Sequence, residues 1–226
     1  EPPPGFSPIT LPERKLVFSV KTPNNTPENA PVYLSIVDLT GGTDKHIRMK
    51  DMGNGFYETT SSVQARSMIR YTFDRFDGEG CCNESVTREA MGERFQMQYR
   101  LLLVEDDLKQ VNDTIATWVD LREPHAEGTI SGRVTGGATG EPIFDADVSV
   151  SGIHIGTRTD GSFKVEGLPP GEHTVIAHSD TGDFLPIQVI VNLTEEEPEE
   201  VRFLVTPAKL VPVSFDVLLP DSTPEK

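Results

Sequence analysis

Thr159-Asp-Gly-Ser-Phe-Lys-Val-Glu-Gly-Leu-Pro-Pro-Gly171 is the stretch on which the reading of the fold turns. Asp160-Gly161 supplies a tight hairpin turn. Phe163 and Val165 then alternate with Lys164 and Glu166, the period-2 pattern of a half-buried strand. Pro169-Pro170-Gly171 is a rigid reversal, with Gly171 free to take a positive φ. Val148, Val150, Phe163, Val165 and Leu168 are expected on one face, building a core.

Outward from this stretch the same grammar recurs. Strands are expected at Thr129–Val134, Ala146–Val150, His154–Thr157, Ser162–Glu166, His173–His178, Leu185–Val191 and Val201–Val205. Seven short strands between Gly/Pro/Asp turns argue for a β-sandwich. Towards the N-terminus come Leu16, Phe18 and Val20 alternating with Val17, Ser19 and Lys21, then runs at Pro31–Val37, Gly55–Thr60, Met68–Phe73, Arg94–Leu103 and Asp113–Val119. No dozen residues hold a helical apolar period. The fold class is all-β, with two consecutive β-sandwich domains of immunoglobulin or transthyretin-like type. The expected division is a Pro-rich linker at 1–13, a first domain at 14–122, a second at 127–208, and a separate strand in 211–226. The acidic run Glu195–Glu200 reads as a loop between strands.

That last strand follows from an internal repeat. Phe18, Val20, Pro23, Thr26, Pro27 and Glu28 recur 197 positions later as Phe215, Val217, Pro220, Thr223, Pro224 and Glu225. Self-similarity at a fixed period is the signature of an array. Val213, Phe215, Val217 and Leu219 repeat the apolar phase of Leu16, Phe18 and Val20. Residues 211–226 are therefore expected to be either the first strand of a following repeat or a strand donated to a neighbouring molecule.

Several pieces of the second half carry a resemblance: Gly132-Arg-Val134, Thr139-Gly-Glu-Pro-Ile143, Ala146-Asp-Val-Ser-Val150, Thr159-Asp-Gly-Ser-Phe163 and Gly167-Leu-Pro-Pro-Gly171. Together they resemble the carboxypeptidase regulatory-like (transthyretin-like) domain. The resemblance implies a non-catalytic accessory or spacer sandwich of surface and secreted proteins. In the first half the relevant pieces are Phe18–Pro23 with Thr26-Pro27, Val32-Tyr33-Leu34, Gly55–Thr60, Arg70–Arg75, and Val111–Thr114 with Trp118. They are similar to a starch-binding-type module. Such modules stack sugar rings on exposed aromatic planes and carry Leu-Gly-x-Trp after the second strand. Here Thr40-Gly-Gly-Thr-Asp44 has no Trp, and Phe76–Cys82 lacks the second one. The scaffold is kept and the sugar platform eroded. Phe18, Tyr33, Phe73 and Trp118, the sole tryptophan, are expected in the core.

Composition narrows the function. A formal net charge of −16 argues against nucleic acid, whose phosphates call for clustered Lys and Arg. It suits a solvated extracellular surface, a cation-attracting surface or a salt-rich habitat. With 36% hydrophobic residues, no apolar run approaches the roughly 20 that a membrane span needs. The opening Glu1-Pro-Pro-Pro-Gly5 does not read as a signal peptide.

Candidate sites are few. The only cysteines, Cys81 and Cys82, are neighbours, leaving three states open: thiols, a vicinal disulfide, or bridges to other chains. Asp74, Asp77 and Glu79 offer a weak calcium cluster, and Asp145 with Asp147 another; neither has a full calcium-loop pattern. The histidines His46, His125, His154, His173 and His178 are scattered. His173 and His178, five apart on one strand, face opposite sides and cannot share a metal directly. Sequons mark Asn24, Asn83, Asn112 and Asn192 for glycosylation. No metalloprotease, nucleophile-elbow, Walker or dinucleotide motif occurs. No catalytic residue, cofactor-binding residue or cofactor is expected, calcium aside.

The expected function is that of a non-enzymatic extracellular or cell-surface structural protein. It would be a repeat unit of a stalk or filament, joined head to tail with copies of itself or with adjacent repeats. The alternative is an α-glucan-binding accessory module of a secreted enzyme or surface glycan system, with glycans as partners.

Overall fold

In a computed structural model the described residues are 11–38, 44–76, 81–87, 94–96, 99–121, 128–194 and 199–208. All regular structure among them is β. Eleven strands form the first sandwich: β1 (Glu13–Lys21), β2 (Val32–Asp38), β3 (Asp44–Arg48), β4 (Lys50–Gly53), β5 (Phe56–Gln64), β6 (Met68–Phe76), β7 (Cys81–Thr87), β8 (Arg94–Gln96), β9 (Arg100–Leu103), β10 (Gln110–Thr114) and β11 (Thr117–Trp118). Seven form the second: β12 (Gly128–Gly136), β13 (Asp147–Val150), β14 (Ile153–Gly156), β15 (Ser162–Leu168), β16 (Gly171–His178), β17 (Ile187–Leu193) and β18 (Glu199–Val205).

One sheet of the first sandwich runs β10-β1-β5-β4; the other runs β11-β7-β6-β2-β3, with β8 on β7 and β9 on β6. The second packs β15-β12-β18 against β14-β13-β16-β17. Both share one device. The opening strand pairs in parallel with a late one, β1 with β10 and β12 with β18, and antiparallel with its other neighbour. Parallel pairing sends the chain out at the end of the sheet opposite its entry, with Thr114 beside Lys21 and Val205 beside Gly136.

Alternation decides which face is buried. Leu16, Phe18 and Val20 of β1 meet Val32, Leu34 and Ile36 of β2 and Ile69, Tyr71 and Phe73 of β6 in one apolar cluster. Val148 and Val150 meet Phe163, Val165, Leu168, Val175 and Phe203 in a second. Leu168 breaks the period-2 count from Val165. A register shift between Gly128 and Thr129, opposite it, turns it inward. Gly171 takes φ 135°, as its place after Pro169-Pro170 demands.

Several expectations shift. The run Arg94–Leu103 is not one strand: β8 pairs with β7 and β9 with β6. The run Asp113–Val119 likewise divides between β10 and β11. The strands β3, β4 and β7 went unmarked, because β3 and β4 bury no apolar row that alternation could reveal. Phe18, Phe73 and Trp118 are buried, whereas Tyr33 is half-buried on the outer face of its sheet. There it stacks on His46, ring centroids 4.5 Å apart.

Candidate functional site

The two sandwiches meet along a seam. The carboxamide of Gln188 on β17 pairs with both backbone groups of Leu103 on the edge strand β9. Leu103 N–H donates to Oε1 at 2.9 Å, and Nε2 donates to the Leu103 carbonyl at 2.8 Å. One side chain thus does what a neighbouring strand would do. Nearby, Asn112 Nδ2 donates to Glu172 Oε2 at 2.9 Å. His154 Nε2 donates to the Tyr99 carbonyl at 2.9 Å, and the two rings meet edge-on. Ala116 packs against the second core. A Cβ on Gly171 would sit 2.6 Å from Thr114 Oγ1, so the Thr114 side chain fills the space that a side chain there would need. Ile176 lies on the outer face of β16, yet it is fully buried, because β9 and β10 lie against that strand.

Behind the seam lies a buried ionic network. Arg100, 2% exposed, grips Glu84 through Nε at 3.0 Å and a terminal nitrogen at 2.7 Å. Its other terminal nitrogen reaches Asp113 Oδ1 at 2.7 Å. Tyr71 Oη–H donates to Asp113 Oδ2, and Phe73 N–H to Glu84 Oε1, each at 3.0 Å. Burial pushes both carboxyls above the ordinary carboxylate range, although Arg100 pulls them down. One guanidinium cannot offset two buried carboxylates in full. The seam carries the effect across to the second sandwich. Burial, helped by the Arg100 charge, pushes His173 down to about 4, against a partial opposite pull from the Pro169 carbonyl. His173 is neutral: Nε2 donates to that carbonyl at 2.7 Å, and Nδ1 accepts from Ser151 Oγ at 2.8 Å.

At the edge of the seam Asp147, His154 and His178 converge, with one potential ligand atom each, all within 4.8 Å of one another. Asp147 and His178 are direct partners across β13 and β16. His154 arrives from β14, opposite Ser149. Asp147 and His154 line a cleft of about 700 Å³, together with Asp145, Asp180 and Asp183. Burial pushes the Asp147 carboxyl up, but the two imidazoles hold it below its usual value. Burial pushes His154 down, and the carboxylate and the Tyr99 carbonyl more than reverse that.

Residues 129–206 match the family model of the carboxypeptidase regulatory-like domain. No curated protein matches the chain. Solved structures with a likeness include the minor pilin GBS52 of Streptococcus agalactiae, 11% identical over 89% of this chain and 100% of that one, at a TM-score of 0.34. A streptococcal ancillary pilin is 12% identical over 86% and 62%, with a TM-score of 0.30. The Bacillus anthracis TIE protein is 10% identical over 85% and 34%, with a TM-score of 0.31. The chain thus spans 62% of the length of the ancillary pilin and 34% of that of the TIE protein. Likeness this distant decides neither function nor assembly.

The residues singled out from sequence are placed as follows. Asp74 is buried in β6, and both of its oxygens are engaged, by Ser35 Oγ at 2.9 Å and His46 Nε2 at 3.0 Å. Asp77 and Glu79, its proposed calcium partners, lie outside the described residues, as does His125. Cys82 is buried in β7, and the Cys81 side chain lies outside that set. So do Val213, Phe215, Val217 and Leu219 of the assembly strand. Asn24, Asn112 and Asn192 line one groove of about 790 Å³ at the seam, while Asn83 is half-buried in β7. His178 and His173 do face opposite sides of β16: His173 bonds inward, and His178 meets Asp147 and His154. That partnership lies between strands, and spacing along one strand does not reveal it.

Proposed function

We propose that this chain is a non-enzymatic structural module of an extracellular or cell-surface protein, one unit of a stalk or filament built from stacked β-sandwiches. The single observation carrying this reading is the seam. A spacer must keep successive sandwiches from swinging. Here an edge strand is capped by the Gln188 carboxamide, the Thr114 side chain closes against Gly171, and Ile176 is sealed between sheets. Polar interfaces between domains of one chain allow relative motion by default, so the stiffness of this seam rests on the sealed Ile176 and the doubly bonded Gln188 carboxamide. The 197-residue recurrence extends the unit into an array, with boundaries at 14–122 and 127–208 and with residues 211–226 opening the next copy or entering a neighbour. Glycans on Asn24, Asn112 and Asn192 would shield the groove along the seam.

Negative-stain microscopy of the native full-length protein tests this. Linear particles with a repeating pair of densities are expected. Compact, dispersed monomers would overturn the filament reading.

A further inference from the structure

We infer that Asp147, His154 and His178 form a binding site for a borderline divalent transition metal, of which Zn²⁺ is the probe of choice. The donor set comes first. Two imidazoles and one carboxylate suit zinc and its neighbours, whereas calcium takes oxygen ligands almost alone. The second argument is spacing. His154 Nδ1 stands 3.5 Å from Asp147 Oδ1, and His178 Nε2 stands 3.6 Å from Asp147 Oδ2. These gaps are too long for firm hydrogen bonds. They lie slightly above the edge of a zinc tetrahedron, about 3.3–3.4 Å for bonds of about 2.0–2.1 Å, so a bound ion needs only a small closing movement.

The third argument is the orientation of the rings. A metal-bound imidazole donates its remote N–H to a carbonyl or carboxylate. His154 donates Nε2–H to the Tyr99 carbonyl, which leaves the Nδ1 lone pair facing Asp147. His178 presents Nε2 inward, and its Nδ1 stands 3.6 Å from the exposed Asp180 carboxylate, a charge partner near enough to close on a metal-bound ring. Asp147 Oδ1 and His178 Nε2 are both shielded from solvent and make no hydrogen bond among the described residues. Such orphaned groups are costly unless something joins them. A cation does so, since every inward atom is an acceptor. The cleft supplies access and leaves a coordination position for water. Because His154 also holds Tyr99 of the first sandwich, a bound metal would sit as a clasp at the edge of the seam.

The test uses the intact 226-residue chain, stripped with chelator and titrated calorimetrically with Zn²⁺ near neutral pH, with Co²⁺ absorption reporting coordination. One saturable site per chain is expected, indifferent to excess Ca²⁺ or Mg²⁺, with affinity falling as the pH drops below the imidazole range. His178→Gln or Asp147→Asn should weaken it by more than about 100-fold, and Asp180→Asn by about 10-fold, as loss of an outer partner does. Asp180 is on the surface, so its variant keeps the fold intact even if a ligand variant does not. His46→Gln, on the other sandwich, should change nothing. No saturable Zn²⁺ binding, or binding unmoved by Asp180→Asn and His178→Gln alike, would overturn the assignment.

Discussion

The two sandwiches close their sheets in the same way and fill them differently. The first buries an arginine, a glutamate and an aspartate as a connected network behind Tyr71 and Phe73. The second buries aliphatic and aromatic side chains, with one neutral histidine at the end of the core. An apolar core tolerates small losses of volume, whereas a charge network fails as a unit when one member goes. The comparison predicts that the halves will respond to different insults. Trp118, fully buried in the first sandwich, reports on that half alone.

The largest effect should come from Arg100→Met. It leaves Glu84 and Asp113 buried without a cation, which costs about 3–5 kcal/mol. Denaturant unfolding followed by Trp118 fluorescence should shift strongly, while amide exchange in β13 and β16 should change much less. Equal loss in both halves would mean that they share one cooperative core.

Acid should separate the halves next. Unfolded, a histidine protonates near pH 6.5; folded, His173 resists until about pH 4. Its contribution is whole above about 6.5 and drains away as pH falls towards about 4, because the unfolded state takes the proton first. At about 1.4 kcal/mol per tenfold change in proton affinity, the second sandwich loses about 3 kcal/mol over that window. Glu84 and Asp113 carry the opposite sign. With raised folded values they take protons before the unfolded chain does, so falling pH favours the first sandwich through them. Amide exchange of β16 against Trp118 fluorescence, from pH 7 to pH 4, checks the contrast. His173→Gln should flatten only the former.

The same contrast explains how legible each half was. Asp160-Gly161, Pro169-Pro170-Gly171 and the Phe163/Val165 alternation state local geometry outright, and the second sandwich follows. In the first, β3 and β4 have exposed faces that leave no periodic trace. Nothing in the sequence marks Arg100 and Glu84 as interior, since charged side chains are rarely buried unless paired. Pairing is a property of sheet register, which the sequence does not print. The Asp147/His154/His178 cluster was hidden for the same reason: its members stand on three strands. One signal was available. Asp147 and Ser149 alternate with core valines, and His154 alternates with Ile153 and Ile155, so all three project from the outer face. Pairing across a short Ser151-Gly152 turn would have brought them near each other.

Tight apolar packing makes a further difference. A Cβ at Gly132 would fall 2.1 Å from the Val201 carbonyl oxygen and 2.6 Å from the Phe163 ring. Gly132→Ala must therefore push β12 away from β18, at about 1–3 kcal/mol. Thermal unfolding should show the loss in the second sandwich, with Trp118 fluorescence nearly unmoved. A neutral result would mean that β12 and β18 have room to spare.

The smallest effect tests whether the halves are joined at all. Gln188→Ala removes both of its hydrogen bonds to Leu103, on a strand whose outer side has no other strand beside it among the described residues. Water can reach an opened seam and satisfy Leu103 in part, so the cost should be near 1 kcal/mol, at the low end for a pair of neutral bonds. The informative quantity is coupling. In the native chain, disturbing one sandwich costs the other its seam contacts, so Trp118 fluorescence and amide exchange in β16 should share part of their response to denaturant. In Gln188→Ala the two midpoints should separate further, while each sandwich keeps its own core and its own acid response. If the midpoints stay together, coupling runs through Ile176 and the Gly171–Thr114 contact instead, and the carboxamide is only a surface bond. If they were already independent in the native chain, the seam would not be holding one sandwich to the other. The stacked, stiff unit proposed above would then lose the observation that carries it.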